Sequence, residues 1–361
     1  MVKKILKILL IIILAIIAIV AIYIAYVFIS YHRIDDNVKV EIEGSTTTTE
    51  IKKNQIYTMA SANLGFGAYS DDYSFFMDGG TESWAYSKDA ATTNINSSID
   101  IIKQLKPDIF LLQEVDLDST RSYHVNEKDL IIENLSADYG DNLTYTFCVN
   151  YDSPFLMYPL YQPHGKSTAG MLTISTAEIT DSIRRSLPID EEITKMIDLD
   201  RCYCKNTIPV EGGKNLILYS VHLSAYAQNP ETAINQIKVL NEDMKNEFEA
   251  GNYIIAGGDM NKDVLGDSQQ YFGKSTEDQL WAVAFPTELL EKEFTLVKPL
   301  DESNPVPSCR NADSPYNEDS FVITIDGFIV SSNVDVEESN VIDTGFKYSD
   351  HNPIYMKFKL K

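Results

Sequence analysis

Tyr253-Ile254-Ile255-Ala256-Gly257-Gly258-Asp259-Met260-Asn261 is the stretch from which the architecture of this 361-residue chain can be read. Its apolar run is short and is bounded by Gly251 on one side and two glycines on the other, which marks a buried strand rather than a helix. Two glycines before Asp259 let the backbone approach a ligand closely. A carboxylate at the end of a buried strand also fits the crevice that α/β sheets form at their strand ends. Just upstream, Asn229 and Pro230 supply an N-cap and a first-turn proline for a helix with the apolar stripe Ala233, Ile237, Leu240, Met244 and Phe248. Before that helix, Cys202–Val210 and Leu216–Val221 read as strands joined by a Gly212-Gly213 hairpin turn.

The same alternation runs through the rest of the chain. Val38, Val40 and Ile42 alternate with Lys39 and Glu41 as a short strand, and Ser45–Thr49 form a polar loop. Gln55–Ala62 reads as a strand leading into Asn63. A long aromatic loop from Phe66 to Trp84 follows, with Tyr69, Tyr73, Phe75 and Phe76 among several glycines. Ala91, Ile95, Ile99 and Ile102 keep helical spacing until Lys106-Pro107, and Ile109–Leu112 is again an apolar strand-like run. Leu130–Leu135 reads as a helix, and Tyr145–Asn150 and Met171–Ser175 read as strands. No repeat and no linker interrupt the chain after Thr49, so one α/β domain is expected over residues 55–361, preceded by a strand and polar linker at 34–54.

Four apolar runs stop at polar residues of one kind: Gln113-Glu114, His222, Gly258-Asp259-Met260-Asn261 and Ser349-Asp350-His351. Polar strand ends of one sheet system converge in space. Carboxylates and amides are hard oxygen donors suited to Mg²⁺ or Mn²⁺, and the two imidazoles provide proton transfer or hydrogen bonds to an oxyanion.

Taken in order, Asn63, Gln113-Glu114, His222, Gly258-Asp259-Met260-Asn261, Ile325-Asp326 and Ser349-Asp350-His351-Asn352-Pro353 resemble the motifs of the endonuclease/exonuclease/phosphatase superfamily. The resemblance covers roughly residues 55 to 360. It implies a four-layer α/β sandwich, two β-sheets face to face with helices outside, that hydrolyses a phosphoester with a divalent cation. By the same resemblance Glu114 is the principal metal ligand, assisted by Asn63, with Asp350 close enough to join it or to hold a second ion. Asp259 and Asn261 match the pair that orients the attacking water and the phosphoryl oxygen. His351 matches the residue nearest phosphorus, either general base or cationic phosphate ligand, and Asp326 the carboxylate that orients its ring. His222 matches the second histidine, which hydrogen-bonds the phosphoryl group. His124 and His164 lie in loops and read as structural or peripheral.

Substrate is less clearly marked. Thirty Lys and Arg against 53 Asp and Glu give a formal charge of -23, a poor surface for duplex DNA. The nearest basic residues to the motifs are Arg121, Lys166, Arg184 and Arg185. Arg121 reaches either a second phosphate or headgroup, or only solvent. Lys166 sits in Gly165-Lys166-Ser167-Thr168, which lacks the full phosphate-loop pattern. The Phe66–Trp84 loop either packs locally or meets a sugar, a base or lipid.

From Ile5 to Ile29 the chain is apolar except for Lys7 and two tyrosines, long enough as a helix to cross the ~30 Å hydrocarbon core of a bilayer. No A-x-A-like exit precedes Ser30, so residues 1–33 read as an uncleaved signal anchor rather than a cleaved leader. Lys3, Lys4 and Lys7 before the span, with Asp35 and Asp36 after it, predict a cytoplasmic N-terminus and an extracytoplasmic body. Residues 1–33 carry four basic and no acidic side chains, which leaves -27 on the remainder. Four cysteines, with Cys202-x-Cys204 in a strand and no histidine near either, read as buried thiols rather than a zinc site. The expectation is a single-pass cell-membrane phosphoester hydrolase that uses Mg²⁺ or Mn²⁺ and prefers a small or lipid-linked phosphodiester, with no protein partner implied. Its alternatives are an extracellular nuclease and a catalytically silent binding module of the same fold.

Overall fold

A computed structural model describes residues 2–190, 199–225, 230–276, 279 and 281–361. The first helix, α1 (Val2–Ser30), is exposed along its length. Two short strands follow, β1 (Val38–Lys39) and β2 (Ile42–Ser45), then β3 (Tyr57–Asn63), α2 (Lys88–Ile102) and β4 (Ile109–Asp116). Next come α3 (Glu127–Tyr139), β5 (Leu143–Leu156), β6 (Gly165–Ser175), β7 (Asp181–Ser186), β8 (Cys202–Val210) and β9 (Lys214–His222). The chain continues through α4 (Pro230–Glu249), β10 (Tyr253–Asp259) and β11 (Phe294–Val297). It closes with β12 (Cys309–Arg310), β13 (Val322–Ile323), β14 (Asp326–Ser331), β15 (Val334–Val341) and β16 (Ile354–Leu360).

Two seven-stranded mixed sheets result, ordered β1-β7-β8-β9-β10-β14-β11 and β15-β16-β3-β4-β6-β5-β2. Period-2 alternation assigns each strand residue to a layer. Ile109 and Leu111 of β4 enter the core between the sheets with Leu218, Ile255 and Phe328, while Phe110 and Leu112 turn outward against Ile95, Ile99 and Ile102 of α2 and Ile131 and Leu135 of α3. On the other sheet Ile254 and Ala256 turn outward to meet Ile237, Leu240 and Met244 of α4. Each of these larger side chains contributes about 1.5–3 kcal/mol by leaving water. The four-layer sandwich is therefore the architecture of this chain.

Local chemistry explains most boundaries. Ser87 caps α2 by accepting from the Ala90 amide, and Lys106 in a left-handed conformation ends that segment before Pro107. Gly212 and Gly213, both at positive φ, close the β8–β9 hairpin, with Val210 opposite Lys214. The stripe on α4 is placed as the sequence indicates, and the Asn229 cap lies outside the described residues. One reading changes: residues 38–42 are not one strand. β1 pairs with β7 and β2 with β5, so the 34–54 segment crosses from one sheet to the other and stitches both.

The two glycines before Asp259 are required by the packing of the strands themselves. A Cβ on Gly258, at φ +143°, would stand 2.1 Å from the Val221 carbonyl oxygen, and one on Gly257 would meet the Phe328 ring at 2.6 Å. Their absent side chains let β9, β10 and β14 close together and bring three polar strand ends into one place.

Candidate active site

β10 lies between parallel β9 and antiparallel β14, in a register that puts Asp259 opposite both His222 and Asp326. In the other sheet, β3 and β4 run parallel with Asn63 opposite Gln113. The loop before β16 is pinned across the sheets: Ser349 donates to the Asn63 carbonyl at 2.9 Å, and the Asn352 amide donates to the Ser308 carbonyl at 2.7 Å. Side chains from five strands and one loop thus meet at one end of the sandwich.

Glu114 reaches this point through a β-bulge. Leu112 pairs with Leu172 and Val115 with Gly170, so β4 carries one extra residue there, and Glu114 takes φ +53°. Phe110, Leu112 and Val115 all face the outer helices, which shows that the alternation skips one position. That skip releases Glu114 from the layers and turns it into the cleft, at a backbone cost of about 1–2 kcal/mol. Asn63 donates to Glu114 Oε1 at 3.0 Å and to Asp259 Oδ2 at 3.1 Å, while its own amide oxygen accepts the Gly65 N–H at 3.0 Å. Asn63 therefore holds two carboxylates side by side, with its oxygen turned to the backbone.

Asp259 Oδ2 lies 3.5 Å from His222 Nε2 and 3.8 Å from His351 Nε2, and Oδ1 accepts the Asn261 N–H at 2.8 Å. Asn261, at φ +49°, donates to the Leu223 carbonyl at 2.8 Å. His351 Nδ1 pairs with Asp326 Oδ2 at 2.8 Å, and Ser308 donates to the same oxygen at 2.7 Å. Asp350 is half-buried beside them, within reach of the Ser349 hydroxyl at 3.3 Å. A cleft of ≈ 370 Å³ opens over these residues, with Phe66, Tyr69, Phe75, Met77 and Trp281 among its apolar walls.

The electrostatics divide the titratable groups. Burial pushes Asp259 up to about 7, His351 pulling it down and Asp326 raising it further. Burial also holds His222 well below the usual histidine range, helped by the positive Arg201 and His351. For His351 burial works in the same sense, but Cys309 and Asp326 outweigh it and hold the ring well above that range. Two imidazoles of unlike protonation thus flank one carboxylate, the separation from which acid and base roles are built. Asp350 is raised by burial, and the like charge of Glu114 adds to it.

Of the residues singled out from sequence, the structure brings together Asn63, Glu114, His222, Asp259, Asn261, Asp326, Asp350 and His351. Arg121 forms part of the cleft wall, but its guanidinium is spent on Asp116 at 2.9 and 3.2 Å and stacks 3.9 Å from the Phe66 ring centre. Lys166 is exposed on β6 outside the cleft lining, and Arg184 and Arg185 hold residues 34–36 instead. The Phe66–Trp84 loop packs locally, with Phe66, Tyr69 and Tyr73 in one cluster, and Phe66 and Tyr69 also line the cleft. The four cysteines are free and buried, with Cys148 and Cys202 3.7 Å apart between the sheets.

Sequence reasoning missed three contributors. Arg201 lines the cleft and donates to the Leu223 carbonyl at 2.9 Å. Counting back from the Gly212-Gly213 turn sets it opposite Leu223, one past His222, so hairpin arithmetic alone exposes it. Ser308, which steadies Asp326, and Arg310, which donates to the carbonyls of Ser70, Tyr73, Asn311 and Ser314 and so ties down the aromatic loop, stand just before and in the two-residue strand β12, too short for a periodic signal.

Two back-to-back mixed sheets, with acids, amides and imidazoles gathered at their strand ends, define a sandwich of the phosphoesterase type. The chain belongs to the endonuclease/exonuclease/phosphatase family, whose sequence model matches residues 91–351. No curated protein matches it in a sequence search. Among solved structures it is similar to an endonuclease/exonuclease/phosphatase from Beutenbergia cavernae, with a TM-score of 0.58 and 15% identity over 85% of this chain and 72% of that one. It is also similar to ANGEL2, described as a 2',3'-cyclic phosphatase, in complex with adenosine-2',3'-vanadate (TM-score 0.55, 13% identity, 90% and 99% covered). A family protein from Leptotrichia buccalis aligns with a TM-score of 0.54 at 16% identity, covering 84% of this chain and all of that one (100%). At these identities the likeness is one of fold.

Proposed function

We propose that the chain is a membrane-anchored, extracytoplasmic, divalent-metal-dependent phosphoester hydrolase whose substrate is a small or lipid-linked phosphodiester. The observation that carries this reading is the convergence of Glu114, Asp259, His222 and the Asp326–His351 pair in one cleft. The donor set fits a hard cation: the Glu114 and Asp350 carboxylates share the cleft, and the charge of Glu114 raises Asp350, a repulsion that Mg²⁺ or Mn²⁺ would relieve. One carboxylate oxygen each from Asp259 and Asp326 and a ring nitrogen of His351 also lie within 4.8 Å of one another. Asp326 Oδ2 is taken by Ser308 and His351 while its Oδ1 is buried without a hydrogen-bond partner among the described residues; we assign Asp326 to orienting His351 and the cation to Glu114, with Asp350 beside it.

When bound, the cation would polarise the phosphoryl oxygen and neutralise charge in the transition state. The remaining work belongs to side chains. Asn63 fixes Glu114 against Asp259. Asp259, close to neutrality in its titration, and Asn261 orient the attacking water. His351, its ring set by Asp326 and held protonated above the usual histidine range, steadies phosphoryl charge as a cation, and neutral His222 hydrogen-bonds the phosphoryl group.

The basic groups bear on substrate choice. Arg121 is committed to Asp116, Arg310 to backbone carbonyls and Arg201 to the Leu223 carbonyl, so they serve the cleft wall more than a polyanion. With -27 on residues 34–361, this supports a small or headgroup phosphodiester over duplex DNA. Helix α1, 29 residues long and strongly apolar, supports the anchor, and its flanking charges support the orientation. A panel of phosphodiester, phosphomonoester, phospholipid and DNA substrates with Mg²⁺ tests the reading. Turnover of a phosphodiester or phospholipid ahead of DNA upholds it, preference for DNA makes the chain a nuclease, and metal binding without any turnover makes it a binding module.

A further inference from the structure

The tip of the β5–β6 hairpin carries an apolar surface that the site does not use. Residues 154–163 read Pro-Phe-Leu-Met-Tyr-Pro-Leu-Tyr-Gln-Pro, without one charge. Tyr158, Leu160 and Tyr161 are 70%, 80% and 69% exposed, and Phe155 and Met157 are exposed as well. Scattered exposed apolar residues need no explanation, but five within seven positions on one tip mark a contact surface.

The hairpin is bound to the apolar helix. The Tyr23 hydroxyl accepts the Met157 N–H at 2.8 Å and donates to the Phe155 carbonyl at 3.3 Å, and the Tyr26 hydroxyl accepts the Phe155 N–H at 3.1 Å. Twenty residues counted from Ile5 end at Ile24 and span about 30 Å, the thickness of a bilayer's hydrocarbon. Tyr23 and Tyr26 therefore stand at the outer boundary, the level at which tyrosines collect in membrane proteins. The hairpin tip shares that level, and two of its amides are satisfied there by tyrosine hydroxyls. Just beyond, His32 Nε2 lies 3.4 Å from Asp152, and Arg33 pairs with Asp200 at 2.7 Å, so the segment leaving α1 is tied to the body.

The other flank of the hairpin meets the cleft. Tyr161 donates to the Thr81 carbonyl at 2.6 Å, Trp84 to the Pro163 carbonyl at 2.8 Å, and the rings of Tyr158 and Phe76 lie 5.6 Å apart in edge contact. Phe75, the exposed Met77 and Asp78 continue that loop into the cleft wall. A body carrying -27 gains no coulombic attraction from anionic lipid, so the surface suits a zwitterionic bilayer held by apolar burial and aromatic rings. We propose that the Phe155–Tyr161 tip is a second membrane-contact surface, entering the interface of the bilayer that α1 crosses and setting the cleft mouth against the lipid headgroups. This rests on the reading of α1 as a membrane span.

The test uses the full chain reconstituted into phosphatidylcholine vesicles, with Leu160→Cys carrying an environment-sensitive dye. The native cysteines are buried, which directs labelling to the introduced thiol. Lys292→Cys serves as control, since Lys292 is 88% exposed next to β11, the sheet edge opposite β1. Vesicle flotation is read first, then quenching by phosphatidylcholine bearing a nitroxide near the headgroup. The proposal expects flotation, with a blue shift and loss of fluorescence at position 160 and neither at 292. Flotation with equal, solvent-like signals at both positions overturns the hairpin contact and leaves the anchor standing. Failure to float overturns both.

Discussion

Glu114 accepts left-handed backbone so that its carboxylate can leave the strand's alternation, and this sets function against stability at a single residue. Glu114→Gly removes the strain but adds the entropy of glycine and gives up the Asn63 hydrogen bond, so stability should stay within about 1 kcal/mol of the parent while hydrolysis is lost. Urea midpoints and phosphodiester turnover measured together check this, and a variant destabilised beyond that range would show that the bulge depends on the side chain. His351 and Asp326 form a second residue-scale unit. His351→Ala should lower kcat by about two to four orders of magnitude with the fold intact by circular dichroism. Adding Asp326→Ala should then cost little more, because a carboxylate that works through an imidazole has nothing left to orient. Losses that multiply would give Asp326 a separate role. In sequence, the polar residue ending each apolar run revealed most of this cluster. The bulge stayed hidden, since the apolar run Ile109–Leu112 simply stops at Gln113-Glu114 with nothing to mark an extra residue, and so did Arg121's partner Asp116, whose pairing depends on how the short helical turn at Thr120–Ser122 folds back.

Among the elements, the β5–β6 hairpin and the aromatic loop are joined through His164, which is buried with Nδ1 3.2 Å from the Ser83 hydroxyl. Burial, reinforced by the charge of Arg121, holds His164 down to about 3, whereas in an unfolded chain it titrates near the ordinary histidine value of about 6.5. Below that value the unfolded state takes up a proton that the folded state refuses. Stability should therefore be unaffected by this group above about pH 6.5 and fall by up to about 1.4 kcal/mol per pH unit from there toward pH 3. His164→Asn should lose less stability than the parent between pH 6.5 and 4, as read from urea midpoints; identical slopes would mean that His164 titrates normally in the fold. Element existence was legible wherever a period was clean, as in α2, α4, β9 and β10. It failed at β1 and β2, where Val38, Val40 and Ile42 keep strict alternation although the chain changes sheets between them, a choice made by the edges of β7 and β5 rather than by the segment itself. The apolar hairpin tip was equally hidden, because exposure is a tertiary property.

For the whole molecule, α1, residues 31–37 and the hairpin form one continuous edge, and the cleft opens beside it. On the proposed orientation, protease added to intact cells should remove the chain beyond the anchor, while full protection would place the body in the cytoplasm. Strands and helices alternating without a linker indicated one α/β domain, and the order of its motifs carried the family and, through it, the four-layer sandwich. Neither metal nor substrate is written in the layers; both depend on which side chains leave them. The most direct test of the central claim is hydrolysis of bis(p-nitrophenyl) phosphate by the full chain across a Mg²⁺ titration, with Glu114→Gln alongside. Loss of the carboxylate charge should raise the Mg²⁺ concentration needed for half-maximal rate and lower turnover together, with chelator abolishing the activity of the parent. Turnover that persists in chelator, or an unchanged Mg²⁺ dependence in Glu114→Gln, would contradict a metal-dependent hydrolase centred on Glu114.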